Sequence, residues 1–203
     1  MSIRAVLWDL GGVILRTEDD RGRRRWEASL GLNPGQLERL VFECDASRAA
    51  TLGRASANDV WTSVLTALGL PEGERQALSQ DFFAGDRIDD RLVNFIRGLR
   101  PAYKTGLITN AWPNVRRWIE DEWRLSQVFD TMVISAEVGL AKPDPRIYRL
   151  GLDRLGVAPG EALFIDDFPE NVTGAVAVGL HGIRFESTDQ VLADVQRRLE
   201  GDG

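Results

Sequence analysis

An aspartate stands alone at the end of an apolar run. Residues 3–15 read Ile-Arg-Ala-Val-Leu-Trp-Asp-Leu-Gly-Gly-Val-Ile-Leu, so Ala5 to Trp8 is apolar without alternation, Asp9 closes the run, and Gly11 and Gly12 follow. That pattern is a strand buried on both faces of a parallel sheet. Asp9 then sits at the strand's carboxyl end, the edge at which α/β sheets bind ligands. An acid there can be a nucleophile, a metal ligand or both. It can also be no more than a turn residue. Three distant segments repeat the arrangement. Residues 105–109 end in Thr109 and lead into Asn110. Residues 128–134 lead to Ser135, with Lys142 beyond it inside Ala-Lys-Pro-Asp-Pro. Residues 162–165 end in Asp166 and Asp167.

Periodicity names the elements that must bring these groups together. From Arg16 to about Gly85 the pattern is helical, with no strands between. Thr17 and Asp20 have capping-box spacing, Gly31 and Pro34 interrupt, and Leu37, Leu40, Val41 and Cys44 form an apolar face. Ser56 and Asp59 cap a helix carrying Val60, Trp61, Val64, Leu65 and Leu68; Gly69 ends it and Pro71 opens the next. From Arg87 strand and helix alternate again. Helical faces recur at Leu92–Leu99, after Pro113 and from Ile147 to Leu155, and a further helix runs from Pro169 to Gly179. A short strand begins at His181, and Ser187 with Gln190 caps the last helix. The expectation is an α/β fold: a doubly wound, Rossmann-like parallel sheet core made of residues 1–15 and 87–203, interrupted by an inserted α-helical unit over 16–86. Right-handed crossovers put all the strand ends on one edge, so Asp9, Thr109–Asn110, Ser135 with Lys142, and Asp166–Asp167 should converge on one crevice.

Composition narrows the function classes. A length of 203 residues accommodates one large domain or a core with an insertion. The net charge of −6 argues against a nucleic-acid or membrane-surface partner, while leaving room for a local basic pocket. The single cysteine, Cys44, excludes an intramolecular disulfide and reads as an apolar filler. No leader is expected at Met1–Ser2 and no apolar run is long enough to span a bilayer, so a cytoplasmic protein is expected, its oligomeric state left open. Arg21, Arg23, Arg24 and Arg25 read as a solvated helix face, or as holding an anionic substrate through one or two of their number. Trp26 and Trp61 read as helical core, or as the lining of a pocket.

Taken together, the four polar segments resemble the haloacid dehalogenase superfamily of phosphohydrolases over nearly the whole chain. Trp-Asp-Leu-Gly-Gly-Val is similar to the first family motif, with Asp9 as nucleophile. Leu-Ile-Thr-Asn is similar to the second, with Thr109. Gly-Leu-Ala-Lys-Pro-Asp-Pro-Arg-Ile-Tyr is similar to the third, with Lys142. Phe-Ile-Asp-Asp-Phe-Pro-Glu-Asn is similar to the fourth, with Asp166, Asp167 and Asn171. The helical insertion resembles the cap of one subgroup. The resemblance implies a Mg2+-dependent hydrolase of a small phosphorylated metabolite, working through an aspartyl-phosphate at Asp9. A divalent cation removes the repulsion between that carboxylate and a phosphate dianion. Asp9, Asp166 and the carbonyl of Gly11 are the implied ligands, with Asp167 binding directly, through water, or orienting Lys142. Thr109 offers a hydroxyl, and Asn110 and Ala111 offer backbone donors at an expected helix start, as a phosphate-oxygen site. Lys142 brings a point charge for phosphate and Asp9, and Asn171 braces the outer shell. The plainer readings are a helix N-cap for Asp166–Asp167, a strand residue for Thr109, a loop lysine for Lys142 and a first-turn polar residue for Asn171.

One position departs from the family. Most of its phosphatases carry a second aspartate two residues after the nucleophile, as general acid and base; here Gly11 stands there. Glu18, Asp19 and Asp20 are candidate replacements. The departure also admits a catalytically impaired protein that binds a phosphorylated ligand or a protein partner. The dehalogenase branch fits less well, because its last motif lacks the paired acids, and phosphomutases need the acid missing at Gly11. His181, at the start of an edge strand, is expected to be structural.

Overall fold

A computed structural model of the chain describes residues 2–201. Five parallel strands form the main sheet: β1 (Ala5–Trp8), β4 (Lys104–Thr109), β5 (Thr131–Ile134), β6 (Ala162–Asp166) and β7 (His181–Arg184), in the order β5-β4-β1-β6-β7. From β1 the chain moves outward on one side to β4 and β5, then returns across β1 to β6 and β7. The winding therefore reverses between β1 and β6, which makes their carboxyl ends the switch point at which doubly wound sheets bind ligands. The register pairs Trp8 with Ile165, and the Asp9 amide continues the ladder by donating to the Ile165 carbonyl at 2.9 Å.

Side chains of β1 alternate between two apolar layers, as a strand covered on both faces requires. Val6 and Trp8 pack with α6 (Asp90–Leu99) and α11 (Thr188–Glu200), through Leu92, Ile96, Val191 and Val195. Ala5 and Leu7 pack with α9 (Pro145–Leu155) and α10 (Pro169–Val178), through Ile147, Tyr148, Leu152 and Ala175. Asp9 and Asp166 continue the parity of Leu7 and Phe164, so both lean toward α9 and α10. Capping boxes form at Ser56–Asp59 and Ser187–Gln190 as the spacing implies. Gly69, Gly156 and Gly179 end their helices in left-handed conformations.

Five helices, α1 (Arg21–Leu30), α2 (Gln36–Phe42), α3 (Asp45–Thr51), α4 (Ala57–Leu68) and α5 (Arg75–Phe83), lie between β2 (Leu15–Thr17) and β3 (Asp86–Ile88). They enclose an apolar core of their own, which includes Leu37, Val41, Val60, Trp61, Val64, Leu78 and Phe82. Trp61 is thus core. Trp26 packs against the same cluster and donates its indole N–H to Asp81 at 2.9 Å. The stretch from Arg16 is not helical throughout: β2 and β3 form an antiparallel ribbon at the neck of the insertion. Thr17 does not cap a helix. Its hydroxyl donates to Asp86 at 2.6 Å and accepts from Arg23, while α1 starts after Asp20, whose side chain makes no capping bond. Three-residue strands are too short to declare a period of two. The strand expected over 128–134 shrinks to Thr131–Ile134, because Val128 and Phe129 are buried in the turn before it.

The arginine run divides. Arg21, Arg24 and Arg25 pair on the surface with Asp19, Asp20 and Asp81. Arg23 is buried and ties the insertion to its neck. It donates to the Phe82 carbonyl at 2.9 Å, to Thr17 and to Asp86, reaches Glu38, and lies over the Phe82 ring. Its donors are thereby committed within the fold. Removing the guanidinium leaves the buried Phe82 carbonyl and the part-buried Asp86 without their donor, so Arg23→Ala should lower the stability to urea by about 1–3 kcal/mol, read from the shift in denaturation midpoint. An unchanged midpoint would mean that Arg23 does not hold the neck.

Candidate functional site

The carboxyl ends of β1, β4 and β6 and the loop after β5 meet at the switch point. The Lys142 ammonium lies between two acids, 2.7 Å from Asp9 Oδ1 and 2.6 Å from Asp166 Oδ2. Its side chain is fully buried, as is that of Asp166. Asp167 completes the group: one carboxylate oxygen from each of Asp9, Asp166 and Asp167 lies within 4.8 Å of the others. Three carboxylates against one ammonium leave a formal charge of −2 when all are ionised. The structure thus brings Asp9, Lys142, Asp166 and Asp167 together from three segments far apart in sequence.

Each is held by its own local structure. The Leu10 amide donates to Asp9 Oδ1 at 2.7 Å. Asp166 accepts from the Phe168 amide at 2.9 Å, and Asn171 Nδ2 reaches both its oxygens, at 3.0 and 3.1 Å. Gly12 has φ +75°, and a Cβ built there would fall 2.2 Å from Asp167 Oδ2. A residue without a side chain is what allows Asp167 to come this close. At Gly11 a Cβ would meet nothing within 4 Å, so that position has room for a side chain and simply lacks one.

The Lys142 loop is clamped through its backbone. Asn110 accepts from the Lys142 amide at 2.8 Å and donates to the Lys142 carbonyl at 3.0 Å. The side-chain amide of Asn110 is therefore spent on the loop. Nor does a helix begin at Asn110 and Ala111: α7 (Val115–Arg117) starts later and is three residues long, followed by a π turn at Trp118–Glu122. Pro113 biases the residue before it toward extended backbone, which delays the helix. The Ala111 amide, expected to face a ligand, donates instead to Ser135 Oγ at 2.9 Å, and that hydroxyl donates back to the Ala111 carbonyl at 3.2 Å. Thr109 ends β4 at the same edge, buried, with no hydrogen bond from its hydroxyl to the described residues.

Three contributors escape a reading of strand ends. Ser135 follows β5 and opens the short α8 (Ser135–Val138), but its part in pinning Ala111 has no local signature. Tyr148 falls on the apolar face of α9, and its hydroxyl donates to the Asn171 carbonyl at 2.8 Å; a tyrosine at a fully buried position needs such a partner, and that is the signal available in the sequence. Trp112, three residues after Thr109, packs among Phe42, Trp61 and Phe83 of the insertion and donates to Ser47 of α3 at 3.1 Å. Of the candidate replacements for the acid absent at Gly11, Asp19 is held at about 2 by its hydrogen bonds with Arg21, and Asp20 pairs with Arg24. Glu18 is exposed and makes no side-chain hydrogen bond among the described residues. Cys44 is half-buried, and its sulfur caps α3 by accepting from Ser47. His181 opens the edge strand, with Nε2 3.1 Å from the Gly160 carbonyl.

A divalent cation fits this donor set. The available atoms are oxygens, which suit magnesium. Asp167 Oδ1 is buried without a hydrogen-bond partner, a costly state that a cation or its bound water relieves. Burial drives Asp9 up to about 7; the Lys142 ammonium opposes the rise and the Asp166 charge adds to it. Burial and Asp166 raise Asp167 as well. An acid whose pKa is raised by folding holds its proton longer in the folded state. Its contribution to stability is then lost as pH climbs from the unfolded value near ~4 through the folded one. Metal-free protein should therefore gain stability from Asp9→Asn at pH 8 and not at pH 4, measured as the difference in melting temperature from the unsubstituted protein. Equal melting temperatures at pH 8 would show that Asp9 is not strained by its surroundings.

Comparison with known proteins agrees with this geometry. A family model for haloacid dehalogenase-like hydrolases matches residues 3–179. Sesquiterpene phosphatase astK of Aspergillus oryzae is 29% identical over 97% of this chain and 96% of its own length. D-ribitol-5-phosphate phosphatase of Bacteroides thetaiotaomicron is 26% identical over 84% of this chain and 85% of its own. Other matches cover less of the relative: 7% of mouse acyl-CoA dehydrogenase family member 10, 33% of Arabidopsis thaliana flavin mononucleotide hydrolase 1 and 39% of mouse bifunctional epoxide hydrolase 2, so the chain spans well under two thirds of their length. Among solved structures, a HAD-like family hydrolase from Porphyromonas gingivalis superposes with a TM-score of 0.79 at 25% identity, covering 98% of this chain and 99% of that one. A Bacteroides thetaiotaomicron HAD family enzyme in complex with magnesium and inorganic phosphate shares the fold, with a TM-score of 0.76 at 18% identity over 94% of this chain and 99% of that one. Among the described residues, no helix is long and apolar enough to cross a membrane. With the family model matched over most of its length, and the acids and lysine of its motifs gathered at one switch point, the chain belongs to the haloacid dehalogenase-like hydrolase family.

Proposed function

We propose that the protein is a magnesium-dependent phosphomonoester hydrolase that acts on a small phosphorylated metabolite through an aspartyl-phosphate at Asp9. The observation that carries this reading is the ammonium of Lys142 wedged between Asp9 and Asp166 beside the unpartnered oxygen of Asp167. Two relatives that match most of both chains are named as phosphatases. Asp9, Asp166, Asp167 and the Gly11 carbonyl would hold the ion. When bound, it would supply the charge that lets an anionic carboxylate meet an anionic phosphoryl group.

The chain's own residues do the rest. Lys142 fixes the Asp9 carboxylate in place and would offer its remaining donor capacity to a phosphoryl oxygen. Thr109 would donate its free hydroxyl to the same group. Asn110 and Ser135 act indirectly, by clamping the loops that carry Lys142 and Thr109. The insertion over 16–86 would serve as a cap over the crevice, excluding bulk water and meeting the leaving group. Proton transfer to the leaving alcohol, and from the water that frees Asp9, has no side chain at position 11. Glu18 is the uncommitted acid nearest in sequence.

Release of phosphate from p-nitrophenyl phosphate, with magnesium and with chelator, tests the proposal. Activity should require the ion and vanish in Asp9→Asn. Because position 11 has open space, Gly11→Asp should raise kcat by about 10-fold or more, against the ~10²–10⁴ that general acid–base help typically supplies. A second reading, a catalytically impaired protein that binds a phosphorylated ligand or a protein partner, is favoured by the bare backbone at Gly11. Magnesium and beryllofluoride binding without phosphate release would support it over the first.

A further inference from the structure

We propose that Tyr148 is a positioning residue for the metal ligand Asp166, acting through Asn171; the inference rests on the reading of Asp166 as a ligand. Tyr148 is fully buried on α9, the helix that follows the Lys142 loop. Its hydroxyl donates to the Asn171 carbonyl, in the first turn of α10, at 2.8 Å. That same residue turns its side-chain amide to both oxygens of Asp166, at 3.0 and 3.1 Å. Backbone and side chain of Asn171 are thus engaged at once, one by Tyr148 and the other by Asp166.

The surroundings fix the tyrosine. Its ring stands edge-on to Phe164, with centroids 5.3 Å apart, and Phe164 lies under the Lys142 ammonium at 5.6 Å. At Gly174 of α10 a Cβ would lie 3.1 Å from the Tyr148 hydroxyl and 2.8 Å from Pro143 Cβ, so α10 approaches α9 and the lysine loop closely. The hydroxyl bond therefore sets the height of the first turn of α10 against α9. That height decides whether Asn171 reaches Asp166. Without it, the amide is free to tilt, and Asp166 keeps only Lys142 and the Phe168 amide. Hydrogen bonds of this kind orient ligating carboxylates, and losing such outer partners commonly costs 10–100-fold in metal affinity.

Magnesium titration by calorimetry, without substrate, tests this on the purified full chain. Tyr148→Phe keeps the ring and removes the hydroxyl; thermal melting establishes that the variant is folded. It should weaken magnesium binding by about 10-fold. In an Asn171→Ala background the same substitution should change the Kd by less than ~2-fold, because the two residues act in series. Gly174→Ala, which keeps the hydroxyl but crowds it, is a second variant and should weaken binding in the same direction. An unchanged Kd in both single variants, or an equal loss with and without Asn171, would overturn the role given to Tyr148. If the unsubstituted protein binds no magnesium, or binds it equally well as Asp166→Asn, the metal reading itself fails and this inference with it.

Discussion

One buried ammonium makes the site possible. Lys142 stands between Asp9 and Asp166, within hydrogen-bonding distance of each, where three acids would otherwise repel one another in a medium that screens charge poorly. The rest of the fold can be read as what it takes to deliver that ammonium. The sheet's reversal between β1 and β6 sets the two acids side by side. Asn110 grips the lysine's backbone from the neighbouring strand end, and Phe164 lies beneath the charge. One positive charge does not balance three negative ones; burial first, and the neighbouring Asp166 charge after it, hold Asp9 and Asp167 above the usual carboxylate range. The site is built to accept more positive charge.

The parts of this arrangement differ in how far they can be read from the chain. Asp9 and the Asp166–Asp167 pair were legible because each follows an apolar run, and a doubly wound sheet sends all such run ends to one edge; Lys142, in the loop beyond Ser135, was legible through the residues around it that resemble the third family motif. The capping boxes at Ser56 and Ser187 were legible because their geometry is local. What stayed hidden depends on partners far away in sequence. Thr17 has the spacing of a cap, yet Asp86, 69 residues later, takes its hydroxyl. Ala111 looked like a ligand donor, yet its amide is used to hold Ser135, and the side chain of Asn110 has a use that strand-end spacing does not signal, gripping the Lys142 loop. Arg23 looks like its neighbours in the run, and only the fold separates it from them by burying it against Phe82.

The two glycines after Asp9 illustrate how similar residues carry unlike meanings. Gly12 is required by its surroundings: its backbone is left-handed and Asp167 occupies the space a side chain would need. Gly11 is under no such constraint, since a side chain there would meet open space. Its lack of a functional group is therefore a chemical property of this chain and not a steric concession to the fold. The distinction leaves the architecture untouched; under the proposed function, the departure would fall on acid and base chemistry.

Trp112 has a further consequence for how the helical insertion and the core are joined. It belongs by sequence to the loop that leaves β4, yet its ring is lodged among Phe42, Trp61 and Phe83 and its N–H is tied to Ser47. Lifting the helices away would hydrate that indole and drag on the strand end that carries Thr109. The helical insertion and the strand end that carries Thr109 are thus joined through aromatic side chains, Trp112 and, by its contact with Phe83, Trp118. Indole emission is sensitive to the polarity around the ring, so Trp112 is placed to report optically on the contact between the insertion and the core.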